Sequence, residues 1–330
     1  MFRYRSAVAF TAIVIAGLLS STFVLAKPYK GAEVYSSETH KYGRYVTRMQ
    51  VAKGSGVLST FFTYKEGSEQ AGAFWEEIDV EVFGKNDAIE WQSNIIQGQP
   101  KKLTEDVHNA SQSLGDAYHT YTVDWTPTYV AWFLDGVEVR RITGGEFVTS
   151  LTSEQGMRFN LWASTSESWV GAFSDAILPV HQFINYFEYY SYDTTTEAFT
   201  LLWRDDFDSL SSTRWGLANW TFAENRVDFA PENAVIKDGV LVLALTHESA
   251  TGFTGSVPVD NGSASSAATV SSSSAAVASS IASSIASSKA SSAASSVSAP
   301  VKKSSKGGGS ASFEFLAMLL LFAFYQRQRN

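Results

Sequence analysis

The chain has 330 residues, no cysteine, and a formal net charge of −8 from 25 Lys and Arg against 33 Asp and Glu. Without thiols there can be no disulfide framework, thiolate metal site or cysteine nucleophile. The acidic balance argues against a polyanionic partner such as nucleic acid, which draws on clustered Lys and Arg, and is compatible with a neutral polymer.

In chain order, residues 1–26 open with Arg3 and Arg5, continue through an apolar run from Ala7 to Leu19, and close on Val24-Leu25-Ala26. A basic start, a short apolar stretch and a small-residue exit read as a secretory signal peptide. The alternative, a membrane anchor, calls for a longer apolar run. Residues 27–258 have the composition of one globular domain. Alternating, β-branched and aromatic runs predict strands at Tyr45–Val51, Val57–Tyr64, Ile89–Ile96, Thr120–Trp125, Tyr129–Leu134 and Met157–Trp162. Asp135-Gly136 and Asp238-Gly239 sit between such runs, where a two-residue hairpin turn needs positive φ. No long segment keeps a helical period, so the domain is expected to be all-β and antiparallel.

Residues 259–306 are a linker, because Ser265–Ser298 is almost pure Ser, Ala and Val and cannot bury enough surface to fold. Residues 307–330 carry Gly307-Gly308-Gly309, an apolar stretch Phe313–Tyr325 and a basic end at Arg327 and Arg329. The stretch is too short to cross a bilayer comfortably. The segment resembles glycine-rich C-terminal sorting signals of Gram-negative bacteria, which an intramembrane protease reads; a C-terminal amphipathic helix is the alternative. Signal peptide and tail together imply a secreted or cell-surface protein.

The informative segment is Trp75-Glu76-Glu77-Ile78-Asp79-Val80-Glu81-Val82-Phe83, in which Glu77, Asp79 and Glu81 alternate with Ile78, Val80 and Val82. On a strand this puts three carboxylates on one face and the apolar residues on the other. Three like charges along one face cost stability, so the pattern points to chemistry, with an exposed acidic strand as the plain alternative. Glycoside hydrolysis needs two carboxyl groups flanking the scissile bond, one ionised and one protonated. Strand residues i and i+4 are roughly 13 Å apart at Cα, and a retaining enzyme needs carboxyls ~5–5.5 Å apart, so the strand would have to be concave. Asp79, between the two glutamates, would raise the proton affinity of the group that stays protonated.

Sugar rings dock on aromatic faces and their hydroxyls on amides and carboxylates. Phe62, Tyr64, Trp75, Trp162, Trp169 and Trp220 are candidate platforms, and Gln92, Asn94 and Asn160 candidate hydroxyl readers. Any one of these aromatics could simply be core. No Gly-x-Ser-x-Gly elbow or phosphate-cradling loop is present, and the five histidines lack ligand spacing.

With these residues in view, Trp75–Gly84 resembles the Glu-x-Asp-x-Glu signature of lichenase-type enzymes in glycoside hydrolase family 16, and within it the naturally circularly permuted bacterial 1,3-1,4-β-glucanases. The resemblance runs from Tyr29 to Pro258 and includes Gly84-Lys85-Asn86, Gln92-Ser93-Asn94-Ile95-Ile96, His119-Thr120-Tyr121, Arg158-Phe159-Asn160-Leu161-Trp162 and Gln182-Phe183-Ile184-Asn185. It implies a concanavalin-like β-jelly-roll sandwich, circularly permuted. Trp203–Arg214 and Ala234–Thr246 look like the opening strands of an ordinary lichenase, yet here they come last. A sandwich whose termini lie close together tolerates such reordering.

The resemblance further implies a monomeric licheninase. It would cut β-1,4 bonds next to a 3-O-substituted glucose in mixed-linkage β-glucan with retention, using Glu77 as nucleophile, Glu81 as acid/base and Asp79 as assistant. Phe62, Tyr64, Trp75, Gln92, Asn94, Glu105, Trp162, Trp169 and Trp220 would bind substrate. No cofactor is implied for the chemistry, but a structural calcium ion is, at Asn185, Asp206 and Gly239, bound largely through carbonyl oxygens. Glu66 and Lys101 depart from the pattern, standing where the permuted enzymes carry neutral amides, and so bear on fine linkage preference. Laminarinases, agarases and carrageenases are the neighbouring readings; they usually carry one more residue between the Asp and the second Glu, a bulge that Val80 alone does not supply. A non-catalytic sugar-binding sandwich would not need the paired acids.

Overall fold

The computed structural model describes residues 26–262. The segments read as signal peptide (apart from Ala26), linker (beyond Gly262) and C-terminal sorting tail lie outside the described residues. The described strands are β1 (Tyr29–His40), β2 (Gly43–Gln50), β3 (Val57–Tyr64), β4 (Trp75–Phe83), β5 (Glu90–Gly98), β6 (Lys102–Leu103), β7 (Asp106–Asn109), β8 (His119–Trp125), β9 (Tyr129–Leu134), β10 (Val137–Thr143), β11 (Gln155–Ala163), β12 (Val180–Asp193), β13 (Ala198–Asp205), β14 (Trp215–Leu217), β15 (Asp228–Phe229), β16 (Ala234–Lys237) and β17 (Val240–His247).

They form a β-jelly-roll sandwich. One sheet runs β14-β1-β11-β3-β4-β5, with β6 and β7 along the outer edge of β5. The other runs β17-β12-β2-β8-β9-β10, with β16 beyond β17 and β13 replacing β17 along the far half of β12. All pairings are antiparallel except a short parallel contact of β1 with β15. The start of β1 lies beside the end of β17, Tyr29 opposite His247.

Period-two alternation decides which face each side chain takes. Phe61 of β3, Ile78, Val80 and Val82 of β4, and Phe159 and Leu161 of β11 point into the sandwich. They meet Trp125, Trp132, Ile184 and Phe187 of the second sheet in one buried cluster. Trp132 also donates its indole N–H to the main-chain oxygen of Asp79 at 2.9 Å, fastening the acidic strand to the sheet behind it. Both expected hairpins form: Asp135 and Gly136 (φ 50° and 80°) join β9 to β10, and Asp238 and Gly239 (φ 53° and 74°) join β16 to β17.

The expected strands are present with ends moved by up to two residues. The runs that sequence reading did not single out include β1 and β12. In both, the alternation is broken by polar residues that the tertiary fold buries, such as Glu33 and Gln182. Packing also continues past Pro258: Arg48 grips Asp260 with two hydrogen bonds of 2.6 Å, and Asn185 donates to the same carboxylate at 2.8 Å.

Candidate active site

β4 keeps an unbroken register with β3 and β5, so no bulge interrupts the acidic face. Glu77, Asp79 and Glu81 lie opposite Tyr64, Phe62 and Thr60 on one side and Ile96, Asn94 and Gln92 on the other. β11 extends the same face with Arg158 opposite Phe62, Asn160 opposite Thr60 and Trp162 opposite Leu58. β1 closes it with Tyr35 opposite Arg158 and Glu33 opposite Asn160. Nine of the ten expected substrate residues thus gather on or beside one sheet face; the tenth, Glu105, is exposed at the outer edge and reaches Glu81 only as a neighbouring charge.

The two glutamates are held differently. Glu77 accepts the Trp75 indole N–H at 2.5 Å. Glu81 accepts the Gln92 amide at 2.8 Å, and Gln92 in turn accepts the Trp169 indole N–H at 3.3 Å. Trp169, on the short helix Glu167–Val170, packs edge-on against Phe83 and tilted against Trp162. These aromatics therefore position the acids as well as lining the cleft.

Electrostatics separates the three acids further. Burial pushes Glu81 up to about 8, and the Glu77 charge adds to this. Burial pushes Asp79 well above the carboxylate range, reinforced by Glu77 and Glu81. Burial also raises Glu77, but Lys101, the Trp75 N–H, a hydrogen bond from Asp79 and Arg158 all pull it back. Burial and neighbouring negative charge thus favour the protonated forms of Asp79 and Glu81, whereas donors and cations oppose the rise at Glu77. The buried Oδ2 of Asp79 has no partner among the described residues.

Other cleft residues work within the wall. Asn160 donates to Glu33 at 3.1 Å and accepts a short hydrogen bond from Thr60, so both ends of its amide are engaged. The oxygen of Asn94 accepts the main-chain N–H of Thr104 at 3.0 Å. Tyr64 donates to Glu69 at 2.5 Å and stands edge-on to Trp75. Trp220 faces the cleft beside Tyr35, ring centroids 5.5 Å apart.

Sequence reading gave no role to Glu33 or Arg158. Arg158 bridges buried Glu33 and exposed Glu66, 2.7 Å to each, and its guanidinium lies among the rings of Tyr64, Tyr35 and Trp220. The only local signal was a charged residue inside the apolar run Ala32-Glu33-Val34; its partner is 125 residues away.

The three residues read as calcium ligands lie apart from the acids, on the second sheet. Asn185 sits at an irregularity of β12, between the stretch paired with β17, ending at Ile184 opposite Leu241, and the stretch paired with β13, beginning at Phe187 opposite Asp205. Asp206 follows β13 directly and Gly239 precedes β17 directly, so both flank Asn185. One oxygen of the Asp206 carboxylate accepts from Arg204 at 2.7 Å, and the amide nitrogen of Asn185 donates to Asp260 at 2.8 Å, so main-chain carbonyls and the remaining side-chain oxygens are the groups that would meet a cation here. An all-oxygen set suits a hard cation.

Comparison with known proteins places the chain in a family. The sequence profile of "Glycosyl hydrolases family 16" matches residues 11–174. The chain is 45% identical to a beta-glucanase of Fibrobacter succinogenes over 257 residues, covering 76% of this chain and 73% of that protein. It is 32% identical to a beta-glucanase of Paenibacillus polymyxa over 163 residues, 48% of this chain and 63% of the relative. Among solved structures it is similar to a Bacillus licheniformis beta-glucanase (28% identity, TM-score 0.43, 49% of this chain and 71% of the other).

Proposed function

The chain belongs to glycosyl hydrolase family 16, and on that premise we propose that it is a retaining endo-hydrolase of mixed-linkage 1,3-1,4-β-glucan, a licheninase. Glu77 attacks the anomeric carbon while Glu81 delivers its proton to the departing O4 of the next glucose. Glu81, now a carboxylate, then takes a proton from the water that releases the glucosyl unit from Glu77. Asp79 holds its proton toward Glu77 and steadies it as its charge is spent and restored. The observation that carries this reading is the inequality of the two glutamates: Glu77 surrounded by donors and cations, Glu81 pushed up to about 8. That division of proton affinity is what an acid and a nucleophile on one strand require.

Mixed-linkage glucan is favoured over laminarin, agarose or carrageenan by the unbulged β4 and by the beta-glucanase relatives. The test is to incubate the full chain with barley β-glucan, laminarin, cellulose and agarose and to follow the anomeric configuration of fresh products by NMR. β-Anomers from barley β-glucan are expected. Inverted products, or preference for laminarin or agarose, would overturn the reading.

The strand order fits a circular permutation. The 45% match to the Fibrobacter protein spans 257 residues, whereas the Paenibacillus match stops at 163, and β1 and β17 end side by side, as reordering requires. The notch at Asn185, Asp206 and Gly239 would hold a calcium ion that pins β13 and β17 against β12. Residues 1–26 and 307–330 would direct export and surface retention; mass spectrometry finding the intact C-terminus on secreted protein would count against tail processing.

A further inference from the structure

Lys101 stands in the turn between β5 and β6, with its ammonium 3.4 Å from the centroid of the Trp75 ring. Trp75 is the residue whose indole N–H holds Glu77 at 2.5 Å. Lys101 has no carboxylate within ion-pair reach among the described residues, although Glu77, Glu224 and Asp79 surround it at longer range. A half-buried ammonium without a contact partner is costly, and a face-on indole together with nearby anions is what offsets that cost here.

On the strand of Glu77 itself are Asp79 and Glu81; from β3 comes Tyr64, from β11 Arg158, from β1 Glu33, and from the β5–β6 turn Lys101. β5 itself offers only Ile96. Arg158 is already shared between two carboxylates, Glu33 and Glu66. Lys101 is thus the cation with charge to spare.

We propose that Lys101 is a positioning residue for the nucleophile: seated on Trp75, it supplies the counter-charge that keeps Glu77 ionised in the free enzyme. The proposal rests on the assignment of Glu77 as nucleophile. It also gives Trp75 a different part from an open sugar platform. One face of its indole is covered, and its N–H and the ammonium above it act on Glu77 together.

The test compares full-length wild type, Lys101→Met and Lys101→Arg by the pH profile of kcat/KM on barley β-glucan. Without the counter-charge, Glu77 protonates at higher pH. The loss in Lys101→Met is therefore expected to be about 3–10-fold greater at pH 5 than at pH 7.5, the effect of a half to one unit in the acidic limb, and Lys101→Arg restores most of it. A loss in Lys101→Met that is the same at every pH, with the change confined to KM, would make Lys101 a substrate contact and overturn the proposal. Glu77→Gln in parallel separates the failures: full activity there would remove the nucleophile assignment itself, whereas an inactive Glu77→Gln beside a flat Lys101→Met ratio would remove only the role of Lys101.

Discussion

Glu76 turns away from the cleft and is satisfied by the main-chain N–H groups of Thr152 and Ser153 and by the Ser153 hydroxyl, at 2.6–2.9 Å. Glu77, one residue on, faces two further acids and a lysine. The strand period alone separates a structural carboxylate from a reactive one. Because Glu77 and Glu81 carry different steps, Glu77→Gln and Glu81→Gln are each expected to lower kcat on barley β-glucan by at least about 10³-fold. Binding should persist, since both changes preserve shape and the flanking aromatics. Sugar release measured beside affinity electrophoresis checks this; wild-type turnover in either variant would remove that residue from the mechanism. Glu81 must be protonated to act as acid, so kcat/KM should fall as pH rises through about 8. A basic limb that survives unchanged in a variant lacking the Glu81 carboxyl would belong to another group.

At the scale of the element, β4 sets cost against function. Its inner face supplies Ile78, Val80 and Val82 to the core, and its outer face crowds three acids. Asp79 and Glu81 both bind their protons more tightly folded than unfolded. Their contribution to stability is therefore complete at pH values below the ordinary carboxylate range and is lost as pH rises through the folded values. Asp79→Asn removes the largest part of that penalty and keeps a donor for Glu77. Its melting temperature is expected to exceed wild type at pH 8 by about 2–4 °C, the shift made by ~1 kcal/mol in a domain of this size, with little difference at pH 4. Scanning calorimetry at the two pH values decides it, and a gap that does not widen with pH would mean Asp79 is ionised in the folded protein.

For the molecule as a whole, the notch on the second sheet is where β12 exchanges β17 for β13 as its partner, close to the Arg48–Asp260 pair that fastens the end of the described chain. If calcium ties β13 and β17 there, the melting temperature should fall in EDTA and recover with calcium. At 100-fold excess over Kd the gain is about 2.7 kcal/mol. Coincident melts with and without the metal would leave the notch without an ion.

Much of this was readable from the chain because it is local. Alternation at period two put Glu77, Asp79 and Glu81 on one face, and Asp-Gly pairs located two hairpins by the positive φ they tolerate. What alternation cannot encode is which distant strand arrives opposite. Glu33 meets Arg158, Lys101 meets Trp75, and Trp132 meets the main chain of Asp79 only because β1, the β5–β6 turn and β9 are brought to β4 by the sandwich. The amino-acid order by itself therefore determined that three acids share one side of a strand. Tertiary structure decided which of them keeps its proton, because proton affinity depends on burial and on charges that come from other parts of the chain.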